Sequence, residues 1–84
     1  MTYQIRLKAS AEKELLRLPE AIHDAVIEKL AALAENPRPA GVKKLKGREG
    51  YRVRVGDYRV VYLIEDAAQI VRVLSIAHRR DVYR

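Results

Sequence analysis

Three arginines near the middle of the chain have the spacing that would bring their guanidinium groups together on one face of a β-hairpin. Arg52, Arg54 and Arg59 stand in YRVRVGDYRVVY, residues 51–62, where polar and apolar residues alternate on both sides of a Gly-Asp pair. A glycine at the first position of a two-residue loop is typical of a type II′ turn. In that register Arg54 lies directly opposite Arg59. Because like charges on facing strands destabilise a sheet, this arrangement predicts a site for an anion.

The distribution of charge points to a phosphate-rich partner. The net charge of the 84 residues is +6. Basic and acidic side chains balance over residues 1–41, so the whole excess lies in residues 42–84. Part of it comes before the hairpin, in a loop that carries Lys43, Lys44, Lys46 and Arg48. A basic half beside an arginine face is typical of nucleic-acid binding, whereas the alternative reading is a surface that only aids solubility.

The elements that must position these side chains are predicted by periodicity and by prolines. An alternating strand opens the chain, two helices follow, and a loop leads to the hairpin and a last β-branched strand. The predicted bounds are Thr2–Lys8, a helix from Ser10 as N-cap to about Leu18, a helix from Pro19 to about Glu35, the loop Pro37–Gly50, and the last strand Ile70–Ile76. In the loop, Leu45 could anchor the chain to the core.

This order, β-α-α-β-β-β, predicts one α+β domain over residues 1–84. We expect an antiparallel sheet of about four strands with the two N-terminal helices packed on one face. The helices would bury two apolar stripes, formed by Ala11, Leu15 and Leu18 and by Ile22, Val26, Leu30 and Leu33. The other face of the sheet would then be open and carry the arginines.

Composition argues against several kinds of site. The chain has no cysteine and two histidines, which argues against disulfides, thiolate chemistry and a structural zinc site. No apolar run approaches the roughly 20 residues that span a bilayer, and residues 1–10 lack the apolar core of a signal peptide. We therefore expect no metal, no cofactor and no membrane association, and a cytoplasmic location.

Taken in order, these motifs resemble the RelE/ParE superfamily of bacterial toxins, and its RelE-like branch in particular. The resemblance covers nearly the whole chain. It rests on the opening strand, the helix 11–18, the leucine-rich helix ending in Asn36-Pro37, the loop KKLKG at 43–47, the hairpin, and HRRDVY at 78–83.

The resemblance implies the toxin of a type II toxin–antitoxin pair, a ribosome-dependent endoribonuclease that cleaves messenger RNA in the A site. In the family, a ribose 2′-hydroxyl attacks the adjacent phosphate and leaves a cyclic phosphate and a free 5′-hydroxyl. The implied partners are the ribosome with its mRNA and a small RelB-like antitoxin that blocks or distorts the basic site.

The resemblance also implies which residues act. The catalytic set would consist of strand arginines, an arginine after the last strand and a C-terminal tyrosine: Arg52, Arg54, Arg59, Arg79 and Tyr83. Contacts with RNA or the ribosome would come from loop and tail cations: Lys43, Lys44, Lys46, Arg48 and Arg80. Members of the family often have lysine at positions 52 and 54. Because arginine is a poor general base, Tyr83, His78 or solvent is left to accept the proton.

Two other functions remain open at this point. A ParE-like relative would poison DNA gyrase without cleaving RNA, although the DVY ending at residues 81–83 favours the RelE branch. A degenerate toxin would keep only the binding of its antitoxin, which would be compatible with arginine at positions 52 and 54.

Overall fold

A computed structural model of the chain describes residues 2–82 as a five-stranded sheet with helices. The strands are β1 (Gln4–Leu7), β2 (Lys43–Lys44), β3 (Tyr51–Val55), β4 (Tyr58–Glu65) and β5 (Ile70–His78), and the helices are α1 (Ala9–Leu16), α2 (Glu20–Glu35) and α3 (Arg79–Val82). The predicted α+β class is confirmed. None of the helices in residues 2–82 is long and apolar enough to cross a membrane.

The start of α1 differs from the sequence prediction. Lys8 occupies the N-cap position, and Ser10 lies inside the helix. The N–H of Lys8 donates to the carbonyl of Val73 in β5 at 2.9 Å, and its carbonyl accepts from the N–H of Glu12 at 2.9 Å. Lys8 therefore both follows β1 and caps α1. The helix begins before Ser10, so Ser10 cannot be its N-cap.

The second helix begins as predicted. Pro19 is the N-cap of α2, with φ −54°. Proline suits the start of a helix because it has no N–H, and an N–H at that position would find no partner within the helix. Both predicted apolar stripes face the sheet, with Ala11, Leu15, Val26, Leu30 and Leu33 buried and Leu18 and Ile22 packed at their edges.

The strand order is β1-β5-β4-β3-β2, with β1 parallel to β5 and the other neighbours antiparallel. This corrects the expectation of an antiparallel sheet of about four strands. The helices carry the chain from one edge of the sheet to the other, where β2 begins a meander. The meander returns through β3 and β4, so β5 arrives beside β1 running in the same direction.

The core lies between the helices and one face of the sheet, which we call the inner face. Its strand residues are Val53, Val55, Val60, Tyr62, Val71, Val73 and Ile76. Tyr62 is fully buried, and its hydroxyl donates to the carbonyl oxygen of Pro37 at 2.8 Å. A buried tyrosine needs such a partner because its polar end is costly to desolvate alone. The opposite, outer face carries the arginines.

A β-bulge sets which residues of β5 reach the outer face. Val61 of β4 pairs with Ser75, but the next residue, Tyr62, pairs with Val73, so Leu74 is an extra residue. An extra residue reverses the alternation of side chains beyond it. Ser75 and Ala77 therefore face outward, although strict alternation from Val73 would turn them toward the helices.

Candidate functional site

The hairpin has the register that its sequence predicts. Arg54 pairs with Arg59 and Val55 with Tyr58. Gly56 adopts φ +59°, the sign required at the first loop position of a type II′ turn. The hairpin therefore holds the three arginines of residues 52–59 on the outer face of the sheet.

These arginines line a cleft of about 230 Å³ together with Gly41 and Lys43. We call it the basic cleft, defined by Gly41, Lys43, Arg52, Arg54 and Arg59. Arg59, on the central strand, is only 5% exposed, whereas Arg52 is half-buried and Arg54 is exposed. The basic cleft thus has one cation at its base and others nearer solvent, which suits a tetrahedral anion approached from outside.

The short strand β2 divides the predicted loop cations between two surfaces. Lys43 pairs with Arg52 and joins the basic cleft. Lys44 pairs with Tyr51 and lines a separate pocket of about 220 Å³ that also includes Arg38. Because neighbouring residues of a strand point to opposite faces, only one of the two lysines can serve the basic cleft.

A second cleft of about 410 Å³ adjoins the first on the outer face. Its lining residues, which define the flanking cleft, are Leu45, Lys46, Arg48, Val61, Ser75 and Ala77, with Glu14 of α1. Leu45 is thus on the outer face and not among the residues that pack on the helix-side core, contrary to the anchoring expected from sequence.

The described tail residues lie outside the basic cleft. Arg79 and Arg80 are exposed, and neither is among the described residues that line the basic cleft. The N–H of Arg79 donates to the carbonyl of Asp57 at 2.8 Å, which ties α3 to the tip of the hairpin. Tyr83, the predicted C-terminal tyrosine of the site, lies outside the described residues.

His78 does not join the basic cleft. It pairs with Tyr58 in the sheet, and the two rings meet edge to face at 5.2 Å. Its Nδ1 accepts the N–H of Arg80 at 3.2 Å. Because Tyr58 and Arg59 are consecutive in β4, they point to opposite faces, and His78 shares the face of Tyr58.

Sequence reasoning missed a cluster at the far end of the sheet. Arg38 donates to both carboxylate oxygens of Asp66, at 3.2 and 2.9 Å, and Tyr3 donates to the same group at 2.7 Å. These hydrogen bonds, from Arg38 first and then Tyr3, lower the pKa of Asp66 to about 2. The guanidinium of Arg38 also lies 5.5 Å from the ring centre of Tyr51.

The Arg38–Asp66 cluster lies just before the segment that lines the basic cleft. Arg38 begins the segment that contains Gly41 and leads into Lys43, both of which line the basic cleft. The neighbouring ion pair of Arg72 with Glu65, at 2.6 Å, holds the ends of β4 and β5 together and lowers the pKa of the carboxyl. No local sequence signal predicts the Arg38 pairing, because its partner is distant in the chain.

The chemistry available in the basic cleft is that of a cation cluster. Its described lining residues include no carboxylate and no imidazole. Among residues 2–82, no group of three His, Asp or Glu side chains lies close enough to hold a metal ion. Arginine binds phosphate oxygens in a planar, two-pronged way and stays charged throughout the physiological range. The arrangement can hold a phosphate and stabilise negative charge that develops on it.

Comparison with known proteins finds similarity to bacterial toxins, both in a family model and in an individual sequence. Residues 5–83 match a family model described as the ParE toxin of the type II toxin–antitoxin system parDE. The chain is 39% identical to Toxin RelE of Mycobacterium tuberculosis over 84 residues, covering 98% of this chain and 87% of the relative.

Solved structures agree in fold. The archaeal RelE–RelB complex from Pyrococcus horikoshii has a TM-score of 0.84 at 32% identity and covers 94% of this chain and 97% of its own. The toxin–antitoxin complex RelBE2 from M. tuberculosis has a TM-score of 0.81 at 32% identity, with coverage of 94% and 100%.

Proposed function

The chain belongs to the RelE/ParE superfamily of toxins from type II toxin–antitoxin systems, and from this premise we propose that it is a ribosome-dependent endoribonuclease. Its substrate would be messenger RNA in the ribosomal A site. The observation that carries the proposal is the basic cleft, where Lys43, Arg52, Arg54 and Arg59 converge on one face of the sheet.

The proposed reaction is an internal phosphoryl transfer. The 2′-oxygen of a ribose forms a bond to the adjacent phosphorus, and the bond from phosphorus to the 5′-oxygen of the next nucleotide breaks. The 2′-hydroxyl loses a proton and the departing 5′-oxygen gains one, giving a cyclic phosphate and a free 5′-hydroxyl. Such a reaction depends mainly on alignment and on stabilising charge at the phosphate oxygens.

We assign the roles that the family resemblance implies, and burial supports the role given to Arg59. Arg59, the buried cation at the base of the cleft, would hold the scissile phosphate together with Arg79. Arg54 would contact the same phosphate or the leaving oxygen, and Arg52 would position the substrate. Tyr83 would act in proton transfer or stack on a base, as aromatic residues do in RNA sites.

The residues that line the cleft support dependence on the ribosome. Arginine is a poor general base because its guanidinium stays protonated throughout the physiological pH range. The described residues of the cleft offer no carboxylate–histidine pair that could drive the proton transfers. Alignment of the RNA by the ribosome would therefore supply a large part of the rate enhancement.

A RelB-like antitoxin would be the second partner. The similar solved structures include a RelE–RelB complex from P. horikoshii and the toxin–antitoxin complex RelBE2 from M. tuberculosis. A partner with acidic side chains would complement the basic cleft, and salt would weaken its exposed contacts. Loop and tail cations, Lys44, Lys46, Arg48 and Arg80, would add contacts with RNA or the ribosome. Both partners imply action in the cytoplasm.

The test is primer extension on mRNA in a translation system. We expect cuts in the A site only when ribosomes are present, strongly suppressed by Arg79→Ala and reduced by Tyr83→Phe. Arg6→Ala is the matched control, because Arg6 is an exposed arginine on the distant edge strand β1. Cuts that persist in both site variants would remove the role assignment.

A ParE-like action on DNA gyrase is the second candidate, since the matching family model is that of a ParE toxin. A gel assay for gyrase-linked DNA breaks separates the two activities. Toxicity on expression without RNA cuts and with DNA breaks would favour gyrase. Absence of toxicity would favour a degenerate toxin that only binds its antitoxin.

A further inference from the structure

We propose that the flanking cleft binds the nucleoside next to the phosphate held by the basic cleft. The outer face of the sheet would then take two consecutive nucleotides of one RNA strand. This inference rests on the proposed function, since it presumes that an RNA phosphate occupies the basic cleft.

The two clefts are close enough for neighbouring groups of one strand. Arg59 lines the basic cleft and Val61 the flanking cleft. They are two residues apart on β4 and point to the same face. At about 3.3 Å per residue their Cα atoms are about 7 Å apart, so a ligand that reaches one cleft extends naturally into the other.

The floor of the flanking cleft suits a flat, weakly polar group. Val61, 9% exposed, and Ala77 form the floor on β4 and β5, and Leu45 lies on the loop side. Covering such a floor with a base or a ribose ring removes apolar surface from water. Ser75 of β5, which pairs with Val61, supplies one hydroxyl that can both donate and accept a hydrogen bond, as a ribose hydroxyl or a base edge requires.

The rim has opposite charges on two sides, which orients the ligand. Lys46 and Arg48 come from the loop, whereas Glu14 comes from α1. The Oε1 atom of Glu14 accepts the N–H of Ile76 at 2.9 Å. Because a carboxylate has about four acceptor positions, Glu14 can also accept from a base amino group or a ribose hydroxyl. The phosphate on the far side of the bound nucleoside would be repelled by Glu14 and attracted to Lys46 and Arg48.

The bulge at Leu74 is what creates this surface. It turns Ser75 and Ala77 to the outer face, where regular alternation would have turned them inward. Bulges beside functional sites commonly re-aim side chains in this way. The flanking cleft is therefore a consequence of backbone geometry as well as of side-chain type.

The experiment compares two ligands that cannot be cleaved because their 2′-oxygens are methylated. One is a single nucleoside with 5′- and 3′-phosphates, and the other is a dinucleotide with a 3′-phosphate. Each is titrated to millimolar concentration into the full chain while amide shifts are followed by NMR. The proteins are the wild type, Ala77→Leu, which fills the cleft, Ser75→Val, which removes the hydroxyl, and Ala31→Leu. The last is the matched control, the same change at an exposed position of α2.

We expect the wild type to bind the dinucleotide on the order of tenfold more tightly than the single nucleotide, with shifts at Val61, Ser75 and Ala77. Ala77→Leu should abolish the difference, Ser75→Val should reduce it, and Ala31→Leu should retain it. An unchanged difference in both cleft variants, or no shifts at the three amides, overturns the subsite. If the same wild-type protein cuts mRNA on ribosomes, that failure concerns the subsite alone; if it cuts none, the proposed function fails as well.

Discussion

Arg54 and Arg59 face each other directly across β3 and β4, and Arg59 is only 5% exposed. Like charges in facing positions lower the stability of a sheet, by about 0.2–1 kcal/mol for a pair. The fold therefore tolerates an unfavourable contact in the cleft that we propose to be its active site.

Replacing one member of this pair should separate stability from activity. We expect Arg54→Gln to raise the free energy of unfolding by about 0.2–1 kcal/mol, measured by urea denaturation. The same change should lower A-site cleavage on the order of 10²-fold, because one donor to the phosphate is lost.

Arg6→Gln is the control for that experiment. Arg6 also lies opposite an arginine, Arg72, but Arg6 is exposed on the edge strand β1, where solvent screens the repulsion, and it is not among the residues of the basic cleft. We expect neither a gain in stability nor a loss of cleavage. A variant at position 54 that is less stable than the wild type would contradict the account of the facing pair.

Acid should weaken the cluster around Arg38. Hydrogen bonds from Arg38 and Tyr3 lower the pKa of Asp66 to about 2 in the folded chain. The unfolded chain binds this proton at about pH 4, so the interaction stabilises the fold above that pH and is lost as the pH falls toward 2. Asp66→Asn should lower the melting temperature near neutral pH and flatten its decline between pH 4 and 2.

Circular dichroism melts between pH 2 and 6 provide that measurement. Glu28→Gln is the control, since Glu28 is an exposed carboxylate of α2 and forms no ion pair with another described residue. It should follow the wild-type curve. If the melting temperature of Asp66→Asn varied with pH as that of the wild type does, groups other than Asp66 would control acid unfolding.

Two glycines of the loop should respond differently to the same substitution. Gly50 has φ +126°, and an added Cβ would lie 3.1 Å from the carbonyl oxygen of Tyr62. Gly47 has φ +74°, with nothing within 4 Å of the added atom. We expect Gly47→Ala to cost about 1 kcal/mol and Gly50→Ala about 3 kcal/mol of unfolding free energy. Equal losses would mean that the clash with β4 is relieved.

The core should respond to truncation far more than the surface does. Leu33 of α2 is fully buried, whereas Leu16 of α1 is 72% exposed. We expect Leu33→Ala to cost about 2–5 kcal/mol and Leu16→Ala within about 0.5 kcal/mol, by chemical denaturation. A large loss at Leu16 would indicate that its side chain has a partner in the folded chain.

Sequence alone predicted the parts of this molecule that depend on local pattern. The glycine of the turn fixed the pairing of Arg54 with Arg59, and alternation fixed their common face. The buried stripe of α2 followed from helical spacing in the same way. The proposed roles of these residues stay predictions, as does that of Tyr83, which lies outside the described residues.

What sequence could not supply depends on contacts between distant segments. Periodicity shows which face a residue occupies but not which strand becomes its neighbour, so the parallel pairing of β1 with β5 was missed. The bulge at Leu74 has no sequence signal, because the pattern of residues 70–76, which are rich in β-branched side chains, predicts one continuous strand. The pairing of Arg38 with Asp66 joins residues far apart in the chain.

The hydrogen bond from the N–H of Ile76 to Glu14 lies on an edge of β5 that β1 leaves uncovered. β1 covers β5 only along residues 70–73, and beyond that point an open strand edge is a template on which other chains can polymerise. Glu14 occupies this edge with a negative charge, and α1 packs along it. The negative charge and the packed helix thereby guard the free chain against pairing with other chains through this edge of its sheet.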